Sequence, residues 1–372
     1  MNLSTVEDYR LRSSYVLDPI SFGYINGAAG EEQTHQLNSS SYNRIRIRPR
    51  QLMDVGSRQM SRTILGQHFS MPVGISPTAL QKLAHKDGER ATVRAAAKFG
   101  IPFVMSSMAS STIDQVAQAA PEGVRWMQTY LHRNRNIART LVEQAERNGF
   151  TALVLTIDSP VLGIMNNQVR SGNIPNDARF EVFRDFARQG VITNGDDIRI
   201  VADFDQSLTW KDVEWLMSIT KLPVIVKGVL TKEDAIRAVE TGVAAILVSN
   251  HGGRQLDSIP ATIEALPEIA SVVKGRIPIL MDGGISKGTD IFKALAYGAD
   301  MVFMGRTILW GLAVGGQQGV EDVLEILRNE FDNAMALAGC SSLSEIGRDR
   351  VMHEEEYNAS ALVSAFKNLN VY

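Results

Sequence analysis

Ala244-Ala245-Ile246-Leu247-Val248-Ser249-Asn250-His251-Gly252-Gly253-Arg254-Gln255 holds five apolar residues in an unbroken run and then turns polar and glycine-rich. A strand with one wet face alternates, so a run without alternation predicts a strand buried on both faces, with a loop beginning where the polarity changes. Working outward, the same pattern recurs at Pro72 to Ser76, Ile101 to Ser106, Val124 to Tyr130 and Ala152 to Asp158. It returns at Pro223 to Lys227, Ala244 to Asn250, Pro278 to Asp282 and Met301 to Gly305. Most of these runs are followed by helical patterns such as Asp87 to Ala97. Buried strands alternating with helices predict an α/β protein with a parallel sheet, and eight units point to a (β/α)8 TIM barrel. A doubly wound open sheet is the alternative, because closure leaves no mark in a sequence.

Two segments break the rhythm. Residues 1–68 precede the first run and are expected to form an N-terminal extension capping the barrel, with the barrel and its C-terminal helices filling 69–372. Ser159 to Thr209 is far longer than an ordinary strand-to-helix connection. Its polar residues, Asn166, Asn167, Arg170, Asn173, Asn176 and Asp177, predict a mobile, water-facing cover.

A chain of 372 residues with 44% hydrophobic and 21% charged residues can bury a full core. A net charge of −3 without a basic block argues against a nucleic-acid surface. Cys340 stands alone, so no internal disulfide is available, and no Cys/His spacing suggests a metal. This usage fits a reduced, intracellular compartment. The first fifteen residues carry Glu7, Asp8, Arg10 and Arg12, unlike a secretory signal, and no run is long enough to span a membrane. The ending Leu369-Asn370-Val371-Tyr372 does not match the peroxisomal Ser-Lys-Leu signal.

Barrel enzymes work at the carboxyl ends of their strands. Those ends carry Pro77-Thr78-Ala79, Ser106, Gln128 and Tyr130, Thr156 and Asp158, Lys227, Ser249 and His251, Asp282-Gly283-Gly284, and Gly305-Arg306. Taken singly, Thr156 reads as a core hydroxyl, Gln128 as a hydrogen-bonded amide and Lys227 as a snorkelling cation. Converging on one mouth, they read as a site. His251 can take a proton near neutral pH, and Arg254, three residues on, can grip a carboxylate with two parallel hydrogen bonds. The glycines after strands seven and eight, with Lys287 and Arg306, suit a phosphate. Without a Walker or GxGxxG loop, a mononucleotide or sugar phosphate fits better than NAD or ATP.

These residues resemble the FMN-dependent 2-hydroxy acid oxidases and dehydrogenases, with glycolate oxidase the most similar. The resemblance runs from Phe22-Gly23-Tyr24 through Gln128-Thr129-Tyr130, Thr156-Ile157-Asp158 and Lys227-Gly228 to Gly305-Arg306, and its most specific part is His251-Gly252-Gly253-Arg254. It implies an FMN ring over Pro77 to Ala79, with Ser106, Gln128, Thr156, Lys227 and Ser249 at its polar edges. Asp282, Gly283, Gly284, Gly305 and Arg306 would lie along the cofactor toward its phosphate. His251 would be the base, Asp158 its partner, Arg254 and Tyr24 the carboxylate site and Tyr130 the hydroxyl contact. The implied reaction oxidises a small (S)-2-hydroxy acid, glycolate-like or longer, to the 2-oxo acid with O2 reduced to H2O2. A dehydrogenase with another electron acceptor and a catalytically weakened flavoprotein are the alternatives. The resemblance also implies a homo-oligomer, a tetramer, and a peroxisomal or cytoplasmic location. Three positions depart from the pattern: Ile164-Met165 where an arginine usually gives a second carboxylate contact, Ser286 where an arginine usually lies near the phosphate, and Met108 where glycolate oxidases commonly have tryptophan. Asn166 or Arg170 could compensate for the first.

Overall fold

The computed structural model describes residues 3–166, 179–192 and 203–357. Eight parallel strands close into a barrel: β4 (Val73–Ile75), β5 (Phe103–Met105), β6 (Arg125–Thr129), β7 (Ala152–Thr156), β8 (Val224–Val229), β9 (Ala245–Val248), β10 (Ile279–Asp282) and β11 (Met301–Met304). Each lies within one of the eight apolar runs except β8, which continues past Lys227. Closure is made by β11 on β4, with Val302 opposite Val73 and Met304 opposite Ile75. That pairing rules out the open-sheet alternative.

Three short strands precede the barrel, β1 (Ile45–Ile47), β2 (Arg62–Ile64) and β3 (Gln67–Phe69). The β2–β3 hairpin plugs the barrel's amino end. Ile64 and Phe69 join Val104, Trp126, Val154, Ile225, Leu247, Leu280 and Phe303 in one buried cluster, and Trp126 Nε1 donates to Gln67 Oε1 at 3.2 Å. Side chains two apart on a strand share a face. Two residues beyond those seven barrel positions therefore point inward again, nearer the carboxyl end, and these are Ser106, Gln128, Thr156, Lys227, Ser249, Asp282 and Gly305. On β4 the same step runs from Gly74 to Ser76; a Cβ on Gly74 would overlap the Phe303 ring. A dry layer thus lies beneath a polar one.

The N-terminal segment forms α1 (Val6–Val16), α2 (Pro19–Asn26) and α3 (Gln33–Ser40). Around the barrel run α4 (Gly88–Lys98), α5 (Ile113–Ala119), α6 (Arg135–Arg147), α7 (Glu181–Arg188), α8 (Trp210–Ser218), α9 (Lys232–Thr241), α10 (Thr262–Val273), α11 (Gly288–Ala296) and α12 (Arg306–Ala338). Their inner faces follow the helical period: in α6, Ile137, Ala138, Leu141, Val142 and Ala145 are buried. Helix α12 breaks at Gly315–Gly316. Tyr9 on α1 donates to Asp322 on α12 at 2.9 Å, and β1 pairs antiparallel with β12 (Val351–His353).

Within the expected mobile cover, α7 is packed. Val182, Phe183 and Phe186 are fully buried, because they form an apolar stripe at i, i+1 and i+4 inside a polar stretch. Two parts of that expectation, residues 167–178 and 193–202 with Arg170 among them, lie outside the described residues. Among the described residues no helix is long and apolar enough to cross a membrane, and no cluster of His, Cys, Asp and Glu could hold a metal ion.

Candidate active site

Leaving β9, the chain turns through three successive left-handed residues, His251 (φ 56°), Gly252 (66°) and Gly253 (74°). A Cβ on Gly252 would lie 2.8 Å from Arg306 Nη1, and one on Gly253 would lie 2.8 Å from the His35 backbone N. Only glycine fits either place. His251 itself carries a strain of about 1–3 kcal/mol, and its N–H is held by Ser249 Oγ at 3.1 Å.

That turn brings His251 Nδ1 to 2.8 Å from Asp158 Oδ1. An ionised carboxylate can only accept, so Nδ1 donates and Nε2 keeps the lone pair that can take a proton. Burial pushes the Asp158 carboxyl up, yet His251 and Lys227 outweigh it and hold the group below the usual carboxylate range. Gly228 (φ 113°) makes room, since a Cβ there would lie 2.7 Å from that of Asp158. Lys227 is 3% exposed, and its Nζ lies 3.9 Å from Oδ2 of both Asp158 and Asp282. The snorkelling-cation reading of Lys227 is therefore wrong: the period of β8 turns it into the barrel. Ser76 Oγ donates to Asp282 Oδ2 at 2.9 Å, while Asp158 Oδ2 and Asp282 Oδ1 are buried without a hydrogen-bond partner.

Cations form the opposite side. Arg254 Nη1 donates to the Tyr24 and Gly27 carbonyls at 2.8 Å each, and its guanidinium stacks 5.1 Å above the Tyr24 ring. Arg306 donates from Nε to Ile25 O, from Nη1 to Gly252 O and from Nη2 to Gly27 O, at 3.1, 2.8 and 2.9 Å. Burial, then the neighbouring Arg254 charge, pushes Arg306 down to about 9, so it stays a cation at neutral pH. Burial and the Arg306, Arg254 and Arg10 charges push His35 down to about 3 and keep it neutral. Tyr130 stacks on Phe204 with centroids 4.5 Å apart; burial and then Asp158 push its hydroxyl up, leaving it a donor.

The remaining wall is built from amides and hydroxyls. Gln128 Oε1 accepts from the Ser107 N–H and its Nε2 donates to Thr156 Oγ1, both at 3.0 Å. Thr78 Oγ1 accepts from Gln81 Nε2 at 2.8 Å. Behind them, buried Glu89 accepts from the Gln81 and Ser110 N–H groups and the Ser110 and Ser111 hydroxyls, tying the loop after β4 to the loop after β5. Toward the phosphate side, Gly284 (φ 77°) lies so near Asn38 O that a Cβ would overlap it. Ser286 and Lys287 give their N–H groups to Asp290 as the cap of α11, at 3.1 and 3.0 Å. Gly305 and Arg306, at the start of α12, open on the cavity and offer the positive end of a helix.

One cavity of about 1340 Å³ gathers Tyr24, Pro77, Thr78, Ala79, Ser106, Gln128, Tyr130, Thr156, Lys227, His251, Arg254, Asp282, Gly283, Gly284, Gly305 and Arg306. Asp158 and Ser249 stand behind this lining, on the ring and the backbone of His251. Ser76 and Ser159 are the functional neighbours missed in sequence. Ser76 could have been found by stepping two residues from Gly74, and Ser159 Oγ lies 3.3 Å from Asp158 Oδ1 and 3.4 Å from His251 Nδ1. Asn166 lends its amide to Gly30 O, at 3.1 Å.

The volume exceeds the range of about 300–1,000 Å³ usual for one small ligand, so a mononucleotide and a small acid can share it. A buried lysine, an Asp282 oxygen buried without a hydrogen-bond partner at the cavity wall and a helix start at Gly305–Arg306 fit a flavin mononucleotide. The chain matches the FMN-dependent dehydrogenase family model over residues 13–353. It is 44% identical to a peroxisomal (S)-2-hydroxyacid oxidase of Arabidopsis thaliana over 94% of this chain and 97% of that protein. It is 42% identical to glycolate oxidase of Spinacia oleracea over 98% and 100%. Among solved structures, a putative lactate oxidase of Pediococcus acidilactici superposes with a TM-score of 0.89 at 32% identity, over 95% of each chain. The chain therefore belongs to the FMN-dependent dehydrogenase family, and FMN is the mononucleotide its barrel mouth is shaped for.

Proposed function

We propose that the protein oxidises (S)-2-hydroxy acids to 2-oxo acids with dioxygen reduced to hydrogen peroxide. The carrying observation is the 2.8 Å contact between His251 Nδ1 and ionised Asp158, made at the wall of a cavity that also presents Arg254. A base here must be neutral before it takes the proton and charged afterwards. Asp158 favours the charged form. Arg254, with Tyr24, holds the substrate carboxylate, a charge-assisted contact worth about 1.5–3 kcal/mol. Tyr130, kept protonated, donates to the 2-hydroxyl oxygen. FMN, when bound, supplies the two-electron acceptor that no side chain provides. Pro77, Thr78, Ala79, Ser106, Gln128, Thr156, Lys227 and Ser249 would hold its ring system, and Asp282, Gly283, Gly284, Gly305 and Arg306 its chain and phosphate. The peroxisomal relative supports that compartment here, and a tetramer is the expected assembly.

Purification tests the reading. Protein that takes up no flavin overturns it, as does bound flavin that no 2-hydroxy acid bleaches without air. Bleaching without peroxide in air would assign a different electron acceptor. His251→Asn should keep the flavin and lose the bleaching; retained turnover removes His251 as base.

A further inference from the structure

The substrate's carboxyl end has a defined anchor, and the walls beyond that anchor are apolar. Leu162, Ile164 and Met165 line the cavity on a segment tied at several points. Gly163 donates its N–H to Gln255 Oε1 at 2.8 Å, Ile164 O accepts from Gly30 at 3.0 Å, and a Cβ on Gly163 would overlap Arg254 O. The apolar wall and the Arg254 anchor therefore ride on one packed unit. The second wall is Met108 and Phe180. They are held together by the bond from Glu181 N–H to Ala109 O at 3.0 Å, while Leu80 N–H holds Met108 O at 3.2 Å.

Of the other cations lining the cavity, Lys227 lies between two carboxylates, Arg306 donates to three carbonyls and Arg10 pairs with Glu7, while Lys287 stands on the phosphate side at the start of α11. A second charge on the substrate would thus meet sulfur and hydrocarbon. Ile164 is 75% exposed and Leu162 57%, apolar surface held in place by its backbone and open to cover by a ligand. Resting on His251 as base and Arg254 as anchor, we infer that the site selects 2-hydroxy acids with an apolar side chain of several carbons over glycolate and over hydroxy diacids. Met165 and Met108 are the residues that set this preference. Their unbranched thioethers adapt to aliphatic chains of different length.

The test uses the FMN-loaded enzyme with glycolate, (S)-lactate, (S)-2-hydroxybutanoate, (S)-2-hydroxyhexanoate, (S)-2-hydroxyoctanoate and (S)-malate. It measures kcat/KM for each, and the affinity of the matching 2-oxo acids from the change they cause in flavin absorbance. Burial of each methylene should raise kcat/KM about fourfold, up to the length the walls cover. Malate should fall below lactate, and Met165→Arg or Met108→Ser should flatten the rise. Glycolate equal to hydroxyhexanoate in the unmodified enzyme overturns the inference while leaving the oxidase reading intact. If no member bleaches the flavin, the oxidase reading fails and the inference with it. Because the unmodified enzyme decides the matter, a variant that fails to fold does not blunt the test.

Discussion

Replacing Asp158 with asparagine keeps shape and hydrogen-bonding capacity at the base while removing one charge. At 2.8 Å, an Asp–His⁺ pair at an effective dielectric of about 20 has a Coulomb ceiling of roughly 6 kcal/mol. The loss is smaller than that, because burial opposes the charge and an asparagine oxygen can still accept from Nδ1. The advantage of a charge-assisted bond over a neutral one supplies a lower bound of about 1 kcal/mol. The amide would also set a donor toward Lys227 where Oδ2 now faces it at 3.9 Å. Together these place the effect near 3–4 kcal/mol, about a 10²- to 10³-fold fall in kcat/KM. Anaerobic stopped-flow bleaching of the bound flavin reads it directly. Affinity for a 2-oxo acid should change little, since Arg254 is untouched. A variant within about threefold of the unmodified rate would refute the role of Asp158 in holding the protonated base. In the unmodified protein its depressed folded value makes its contribution to stability complete above the ordinary value of 3.8 and lost as pH falls through the folded value.

Three further outcomes are expected. Gly284→Ala forces a left-handed alanine against Asn38 O, next to the paired Asn38 and Asn250 amides, and should cost at least about 2 kcal/mol in urea unfolding; an unchanged midpoint would contradict this. Glu89→Gln keeps one oxygen for the Gln81 and Ser110 N–H groups that already share Oε1 but removes the charge and sets an amide donor where Oε2 accepts from the Ser110 and Ser111 hydroxyls, so it should cost about 1–3 kcal/mol and loosen FMN measured by fluorescence titration; unaltered FMN affinity would separate Glu89 from the cofactor loops. His132, wholly buried, is pushed down to about 4 by burial and by Arg135, from 6.5 when unfolded. It is neutral in the fold, so stability is lost as pH falls from 6.5 toward 4, by about 2 kcal/mol between pH 7.5 and 5. His132→Phe should shrink that loss, and equal acid sensitivity in the two proteins would exclude His132 as its source.

Strand positions were legible because burial on both faces erases alternation, and all eight runs mark a barrel strand, seven of them enclosing it and the Pro223 to Lys227 run covering all but the end of β8. The inward polar layer was legible only in part. Ser106, Gln128, Thr156 and Lys227 stand at strand ends, but Ser76 is hidden at the close of an apolar run, one residue before the conspicuous Pro77-Thr78-Ala79 turn. Lys227 read alone looked like a surface cation, and only the register of β8 turns it inward. The His251–Asp158 pair spans 93 residues, a separation no local spacing predicts. It entered through family likeness. Least legible were the contacts of Arg254 and Arg306 with carbonyls of residues 24–27, because a backbone acceptor leaves no trace in residue identity. The packing of α7 was hidden for a different reason, since two buried phenylalanines and a valine are diluted by polar neighbours.

Those carbonyl contacts have a consequence for the order in which the protein is made. Arg306 meets Ile25 O across 281 positions and Gly27 O across 279, so segments far apart in sequence complete the cation wall together. During synthesis the stretch around Tyr24 emerges early but finds its guanidinium partners only after Arg254, and then Arg306, have left the ribosome. These carbonyl contacts thus become available only after the sixth and then the eighth barrel strand have been made, and long loops must close before they form. A nascent barrel short of its eighth strand has β4 without its closing neighbour and no Arg306 beside Gly27, which ties completion of the cation wall to closure of the barrel.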